Sequence, residues 1–255
     1  MKNPRTILIT GASSGIGREL ALSYAASGIL LLLTGRDEAR LADIAAECAS
    51  RGATVKTSNI PVTARAELAA QILEWDAATP VDVVIANAGI SGGHGKAGDD
   101  VEQLLRNIIA VNIDGMFNTV NPLITPMRAR KSGQIVLMSS IAGFRGLPSA
   151  PAYSTAKNAV RAYGEALRPL LARDNVEVNV VFPGFVRTPL TDANDFAMPF
   201  MMETTKAARI IHDGLQKNRA VIAFPWQMRA MIMIITALPR FLGDAITARA
   251  LKKKA

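Results

Sequence analysis

Apolar residues along this chain fall into short, nearly unbroken runs, separated by longer stretches in which they recur every three or four positions. The runs are RTILIT (5–10), ILLLLT (29–34), TVKTS (54–58), VDVVIA (81–86), QIVLMS (134–139), VEVNVV (176–181) and AVIAF (220–224). Several are continuously aliphatic, the pattern of strands buried on both faces. Helical periodicity fills the intervals at 18–27, 38–51, 64–77, 101–130, 153–173 and 204–217. Alternation of this kind predicts an α/β fold, a doubly wound parallel sheet of about seven strands with a helical extension at its C-terminal side. Such sheets bind ligands at the carboxyl ends of their strands, so candidate chemistry is sought there.

Composition narrows the picture. Of 255 residues, 49% are hydrophobic, enough for a sizeable core. No low-complexity linker or internal repeat divides the chain, so a single domain over 1–255 is expected. The lone Cys48 excludes an internal disulfide, and His94 and His212 are too far apart in sequence to suggest a metal cage, so no metal is expected. The opening MKNPRTILIT lacks a signal-peptide hydrophobic region, which predicts a cytoplasmic protein. The charge is unevenly placed. Residues 206–255 hold ten Lys or Arg against Asp213 and Asp244, an excess that accounts for the whole net charge of +8.

The first strand runs directly into TGASSGIG (10–17) and then a helix. Glycines at 11, 15 and 17 permit a tight turn and let the backbone approach a pyrophosphate resting on the helix N-terminus. Farther along, Tyr153 stands four residues before Lys157, one helical turn away and on the same face. Free tyrosine titrates near about 10, and a neighbouring ammonium favours phenolate, moving the group toward a pKa useful for general acid–base chemistry.

TGASSGIG, ANAG (86–89), VNIDG (111–115), SS (139–140), YSTAK (153–157) and PGFVRTP (183–189) occur in this order. In this the chain resembles the short-chain dehydrogenase/reductase family, in particular its single-domain reductases of about 250 residues. The resemblance covers about residues 5–190 and implies a Rossmann-like fold and hydride transfer between a nicotinamide and a carbonyl/alcohol pair. It makes Tyr153 the acid in carbonyl reduction and the base in alcohol oxidation. Lys157 would tune it and bond the nicotinamide ribose, and Ser140, thirteen residues before Tyr153, would donate to the carbonyl oxygen. Asn112 would hold a water linking Lys157 to solvent. The implied cofactor contacts are Gly11, Ser13, Ser14, Gly15, Ile16 and Gly17 in the glycine-rich turn, with Asn59, Asn87, Ala88, Gly89, Pro183, Gly184, Val186 and Thr188 at later strand ends. Alanine at position 86 departs from the family's usual asparagine, and Asn59 replaces a usual aspartate.

The second strand ends LLLLTGRD. By the family's pattern the acidic position that accepts hydrogen bonds from the adenosine ribose of NAD falls on Gly35, followed by Arg36. Glycine leaves room and guanidinium grips a 2′-phosphate, so NADP is expected over NAD. A ribose contact from Asp37, or a solvated Arg36–Asp37 pair, is the alternative.

For the substrate, the candidate walls are 91–95, 143–148 and 190–202, with a lid over about 190–218. Phe196, Met198, Phe200, Met201 and Met202 suit a lipid-like, steroid-like or terpenoid carbonyl or alcohol, or simply pack the lid. The extension at 226–255 carries the apolar run Ala230–Pro239 between Arg229 and Arg240, with Trp226 nearby and lysines at 252–254. It fits either an interfacial anchor giving peripheral membrane contact or a helix at a subunit interface; a homodimer or homotetramer is the expected assembly. No aromatic platform or DNA-binding motif points to nucleic acid. Two further functional classes fit the fold: a non-catalytic NADP(H)-binding sensor or scaffold, and a sugar-nucleotide epimerase or dehydratase. Intact Ser140, Tyr153 and Lys157 argue against the first, and the glycine spacing and chain length against the second.

Overall fold

The computed structural model describes residue 1 and residues 3–92, 100–192 and 198–251, with side chains described as far as Thr247. Seven strands, β1 (Thr6–Thr10), β2 (Leu30–Thr34), β3 (Thr54–Ser58), β4 (Val83–Ala86), β5 (Gly133–Met138), β6 (Val176–Pro183) and β7 (Val221–Phe224), form one sheet in the order β3-β2-β1-β4-β5-β6-β7. Every pairing is parallel.

Both faces of the sheet are covered, which is why the central strands read as unbroken aliphatic runs. Within β1, Ile7 and Ile9 point to one side and Leu8 to the other, as the period of two requires. On the Ile7 side lie α1 (Gly15–Tyr24), α2 (Glu38–Ser50) and α8 (Thr204–Gln216), through Leu20, Leu41, Ile44, Ile211 and Leu215. The Leu8 side holds α3 (Arg65–Ala78), α5 (Gly115–Ala129) and α6 (Pro151–Ala172), through Leu68, Ile72, Val120, Val160 and Leu167. Edge strand β3 is polar and mostly exposed, with Lys56 on its margin, a composition that discourages strand addition.

Three expectations are refined. The helix predicted over 101–130 is α4 (Val101–Ile109) and α5 separated by a π-helical turn at Ala110–Asp114, which buries Asn112. Residues 204–216, read as part of a lid, form α8, fixed in the core by Ala207, Ala208, Ile211 and Leu215. Ahead of it, α7 (Pro189–Asp192) is a single turn. The extension folds as two helices, α9 (Trp226–Ala237) and α10 (Arg240–Leu251), with Met228 and Ile232 packed on Ile141, Val180 and Phe182.

The strand order reverses between β1 and β4. The carboxyl ends of β1, β4, β5 and β6 therefore bring Gly11, Asn87, Ser140 and Pro183 to one edge of the sheet.

Candidate active site

The glycine-rich turn is held from β4. The Thr10 hydroxyl accepts from the backbone N–H of Asn87 and of Ala88, each at 3.2 Å. The Asn87 side-chain amide donates to the carbonyls of Thr10 and Gly11 at 3.0 and 3.1 Å. Gly11 has φ +68°, and a Cβ at Gly17 would stand 2.3 Å from the Gly11 oxygen. The turn thus has room for backbone only, and Ser14 caps α1 without a side-chain hydrogen bond, leaving the first-turn N–H groups facing outward. These are the features a dinucleotide pyrophosphate requires. Asn87, expected at a ribose, spends its amide hydrogens on this turn. Thr10 was missed in the sequence, although it leads the motif.

At the end of β2, Gly35 abuts Ser13; a Cβ there would lie 3.0 Å from the Ser13 Cβ. Arg36 is exposed and, among the described residues, has no ion pair. Asp37 is engaged elsewhere. It caps α2 by accepting from the Arg40 N–H at 3.0 Å and pairs with the Arg40 guanidinium at 2.7 Å. The backbone hydrogen bond from Arg40 and then the charge of its side chain hold the Asp37 carboxyl below its ordinary range. The solvated Arg36–Asp37 pair does not form. Asn59 is exposed and donates to Glu38.

The reacting groups converge from three elements. Beyond β5, buried Ser139 donates to the Lys157 carbonyl at 2.7 Å, fixing α6 to the strand end. Ser140 begins a 3₁₀ turn at Ile141–Gly143, accepts from the Ala142 N–H at 3.2 Å and lies close enough to the Tyr153 hydroxyl to act on it. Lys157 is 5% exposed and donates to the Met138 carbonyl at 2.9 Å. Its ammonium lies 5.6 Å from the Tyr153 ring centre. Burial pushes the Tyr153 phenol up, opposed by Ser140, so the lowering expected from Lys157 is not the controlling influence here. Burial also lowers Lys157 from its ordinary value to about 8.

Asn112 joins this group through Gly89. Its carbonyl accepts from the Ile90 N–H and its amide donates to the Ile90 carbonyl, both at 2.8 Å. A Cβ at Gly89 would meet Asn112 Oδ1 at 3.0 Å and Lys157 Nζ at 3.4 Å. The π turn therefore sets Asn112 to hold the strand end that separates it from the lysine. Two further residues were not foreseen: Ser154 accepts from the Leu147 N–H at 3.1 Å and Asn158 donates to the Gly143 carbonyl at 2.9 Å, both fixing the 143–148 loop to α6.

On the other flank, Pro183 receives the Ser140 hydroxyl at 3.4 Å, and the Gly184 N–H donates to Phe224 at 2.7 Å. Thr188 reaches across to the glycine-rich turn, since a Cβ at Gly15, already at positive φ, would be 3.0 Å from its methyl. Thr191 sets that reach by accepting from the Thr188 N–H at 2.9 Å and donating to the Val186 carbonyl at 2.7 Å. Val186 is buried and bridges to Met202, also buried, so Met202 is anchored while Phe200 is exposed. Ser13, Ile16 and Ala88 line the same turn region in the chain. His94 and Phe196 lie outside the described residues.

Known proteins share this fold. Residues 5–198 match the short chain dehydrogenase family model. An uncharacterized oxidoreductase of Myxococcus xanthus is 38% identical over 246 residues, 96% of this chain and 97% of that protein. A solved short-chain dehydrogenase from Sphingobium yanoikuyae in complex with NADPH aligns with a TM-score of 0.79 and 25% identity, over 92% of this chain and 96% of that one. A short chain dehydrogenase/reductase from Burkholderia phymatum in complex with NAD shares the fold, with a TM-score of 0.79 and 24% identity, over 91% of this chain and 92% of that one.

Proposed function

The chain belongs to the short-chain dehydrogenase/reductase family and is an NAD(P)-dependent oxidoreductase of CH–OH/C=O pairs, and we propose that it prefers NADP and acts on an apolar carbonyl or secondary alcohol. The observation that carries the catalytic reading is the meeting of Ser140, Tyr153 and buried Lys157 at one edge of the sheet. Support for NADP comes from an exposed Arg36 beside Gly35, with Asp37 committed to Arg40. The NADPH held by the Sphingobium yanoikuyae relative agrees with this, while the Burkholderia phymatum structure holds NAD on the same fold. Exposed Leu190 and Phe200 near the Thr188 turn support an apolar substrate.

The bound nicotinamide would supply or accept the hydride. Ser140 donates a hydrogen bond to the substrate oxygen, and Tyr153, kept protonated at neutral pH by its burial, gives that oxygen its proton in reduction. In oxidation the proton returns to Tyr153. Lys157, oriented by the Met138 carbonyl, keeps positive charge beside the phenol, and its remaining donors would hold a ribose hydroxyl of the cofactor. Asn112 positions the Ile90 strand end and with it the proton path from Lys157. The glycine-rich turn, with Ser13, Ser14 and Ile16, would hold the pyrophosphate, and Thr188 the carboxamide. Asn59, Ala88, Pro183, Gly184 and Val186 would shape the remaining wall.

Tyr153→Phe tests the reading. It is expected to lower kcat by about 10²–10⁴-fold while NADPH binds as to the wild type. Near-normal turnover with that variant would overturn it.

A further inference from the structure

Helix α9 is apolar over most of its surface, interrupted by Gln227, Arg229 and Thr236. Met228 and Ile232 face the core, yet Trp226, Met233, Ile234 and Ala237 are exposed on the opposite side, the last three lying two and three turns after the first. Phe241, Leu242 and Ile246 of α10 continue the surface, and Trp226 and Phe241 are 73% and 72% exposed. So many large apolar side chains exposed on two successive helices mark an interaction surface rather than the single apolar residues of an ordinary exterior.

The charge around it selects the partner. Residues 226–255 contain Arg229, Arg240, Arg249, Lys252, Lys253 and Lys254 against the single acid Asp244. Asp244 is already paired with Arg145 at 2.6 Å. A second copy meeting this face about a two-fold axis would bring the Arg229 and Arg240 cations of both copies together, with Asp244, the one acid within 226–255, already committed to Arg145. An anionic lipid surface satisfies both features, taking the aromatic and aliphatic side chains at the acyl boundary and the cations at the headgroups. We propose that α9 and α10 dock the protein onto an anionic membrane surface. At twelve residues α9 is about 18 Å long, and among the described residues no helix is long and apolar enough to cross a membrane, so the pair lies in the interface plane.

Arg145 ties this surface to the candidate active site. It lies in the loop that follows Ser140, donates to the Ile235 carbonyl of α9 at 3.4 Å and pairs with Asp244 of α10. A Cβ at Gly243 would be 2.6 Å from its guanidinium, so α10 closes directly over the arginine. Docking would therefore hold the 143–148 loop just behind α10, close to the lipid where an apolar substrate is most concentrated. Only this use in substrate delivery rests on the proposed function; docking itself does not.

The test is sedimentation of the full chain with vesicles of phosphatidylcholine alone or with about 30 mol% phosphatidylglycerol. Binding is expected to the anionic vesicles, at least about tenfold weaker on the neutral ones or in about 0.5 M salt. Trp226→Ser/Phe241→Ser is expected to weaken it at least about tenfold, with NADPH affinity and thermal midpoint retained as evidence of folding. Arg229→Gln/Arg240→Gln, which leaves the apolar face intact, is expected to weaken binding and flatten its salt dependence. Failure of the wild type to bind anionic vesicles, or unchanged binding by Trp226→Ser/Phe241→Ser, would overturn the proposal. So would a wild-type oligomer in analytical ultracentrifugation that this double variant dissociates, which would give the face to a second copy.

Discussion

Burying Lys157 opposes its charge, and the consequence is measurable without substrate. Its folded pKa of about 8 lies below the ordinary 10.5, so between these values the unfolded chain binds the proton more tightly. Stability from this group therefore rises as pH rises from about 8 to about 10.5, and the penalty is fully present below about 8. Lys157→Met removes it, at the expense of the bond to Met138. The variant is expected to be the more stable at pH 7 by up to about 3 kcal/mol, with the gap closing toward pH 10 in urea titrations. A gap independent of pH would show that the lysine is not held charged in a poorly solvated site. The residues themselves were legible, because TGASSGIG and YSTAK impose spacing that chemistry explains. Their present partners were not. Nothing in the sequence shows that Asn87 spends its amide on Thr10 and Gly11, or that Asp37 turns to Arg40, because those contacts depend on strand order and on how α2 starts.

Elements make sharper demands where they touch. The end of α3 is joined to α5 by Asp76, which accepts from the Val81 N–H at 2.8 Å and pairs with Arg130 at 2.9 Å, while Arg130 donates to the Val81 carbonyl at 2.7 Å. Asp76 is buried, so Asp76→Ala leaves the Val81 amide without its acceptor and a largely buried guanidinium without its counter-charge. A loss of about 3 kcal/mol in urea unfolding is expected, against almost none for Glu102→Ala, whose pair with Arg106 is solvated. Equal effects would remove the argument from burial. At the other end of the sheet, Gly17→Ala pushes a methyl against the Gly11 carbonyl, so NADPH affinity should fall at least about tenfold in a fluorescence titration. An unchanged affinity would mean that the turn does not hold the pyrophosphate. Strands and most helices were legible because burial on both sheet faces writes itself as aliphatic runs. The π turn at Ala110–Asp114 was not, since one extra residue per turn leaves the helical apolar pattern on either side intact. Helix α8 was read as part of a lid because its amphipathic pattern does not say which surface it covers.

At the scale of the whole molecule, the parallel order with its reversal between β1 and β4 gathers the motifs at a single edge, although they are spread from residue 10 to residue 191. That gathering was predictable from the alternation of runs. The destination of the basic, apolar extension was not, because composition alone suits a membrane and a subunit interface equally; the exposed outer faces of α9 and α10 offer a surface to either, and the vesicle sedimentation decides between them. Cofactor binding should stabilise the entire sheet edge. At about one hundred times its Kd, NADPH is expected to add about 2.7 kcal/mol and raise Tm by several degrees.

The most direct measurement is a parallel fluorescence titration of wild type and Arg36→Ala with NADPH and NADH at fixed salt. NADPH is expected to bind the wild type at least about tenfold more tightly than NADH, with the preference lost and NADH affinity unchanged in Arg36→Ala. Tighter NADH binding, or a preference that survives loss of the guanidinium, would contradict the assignment of NADP.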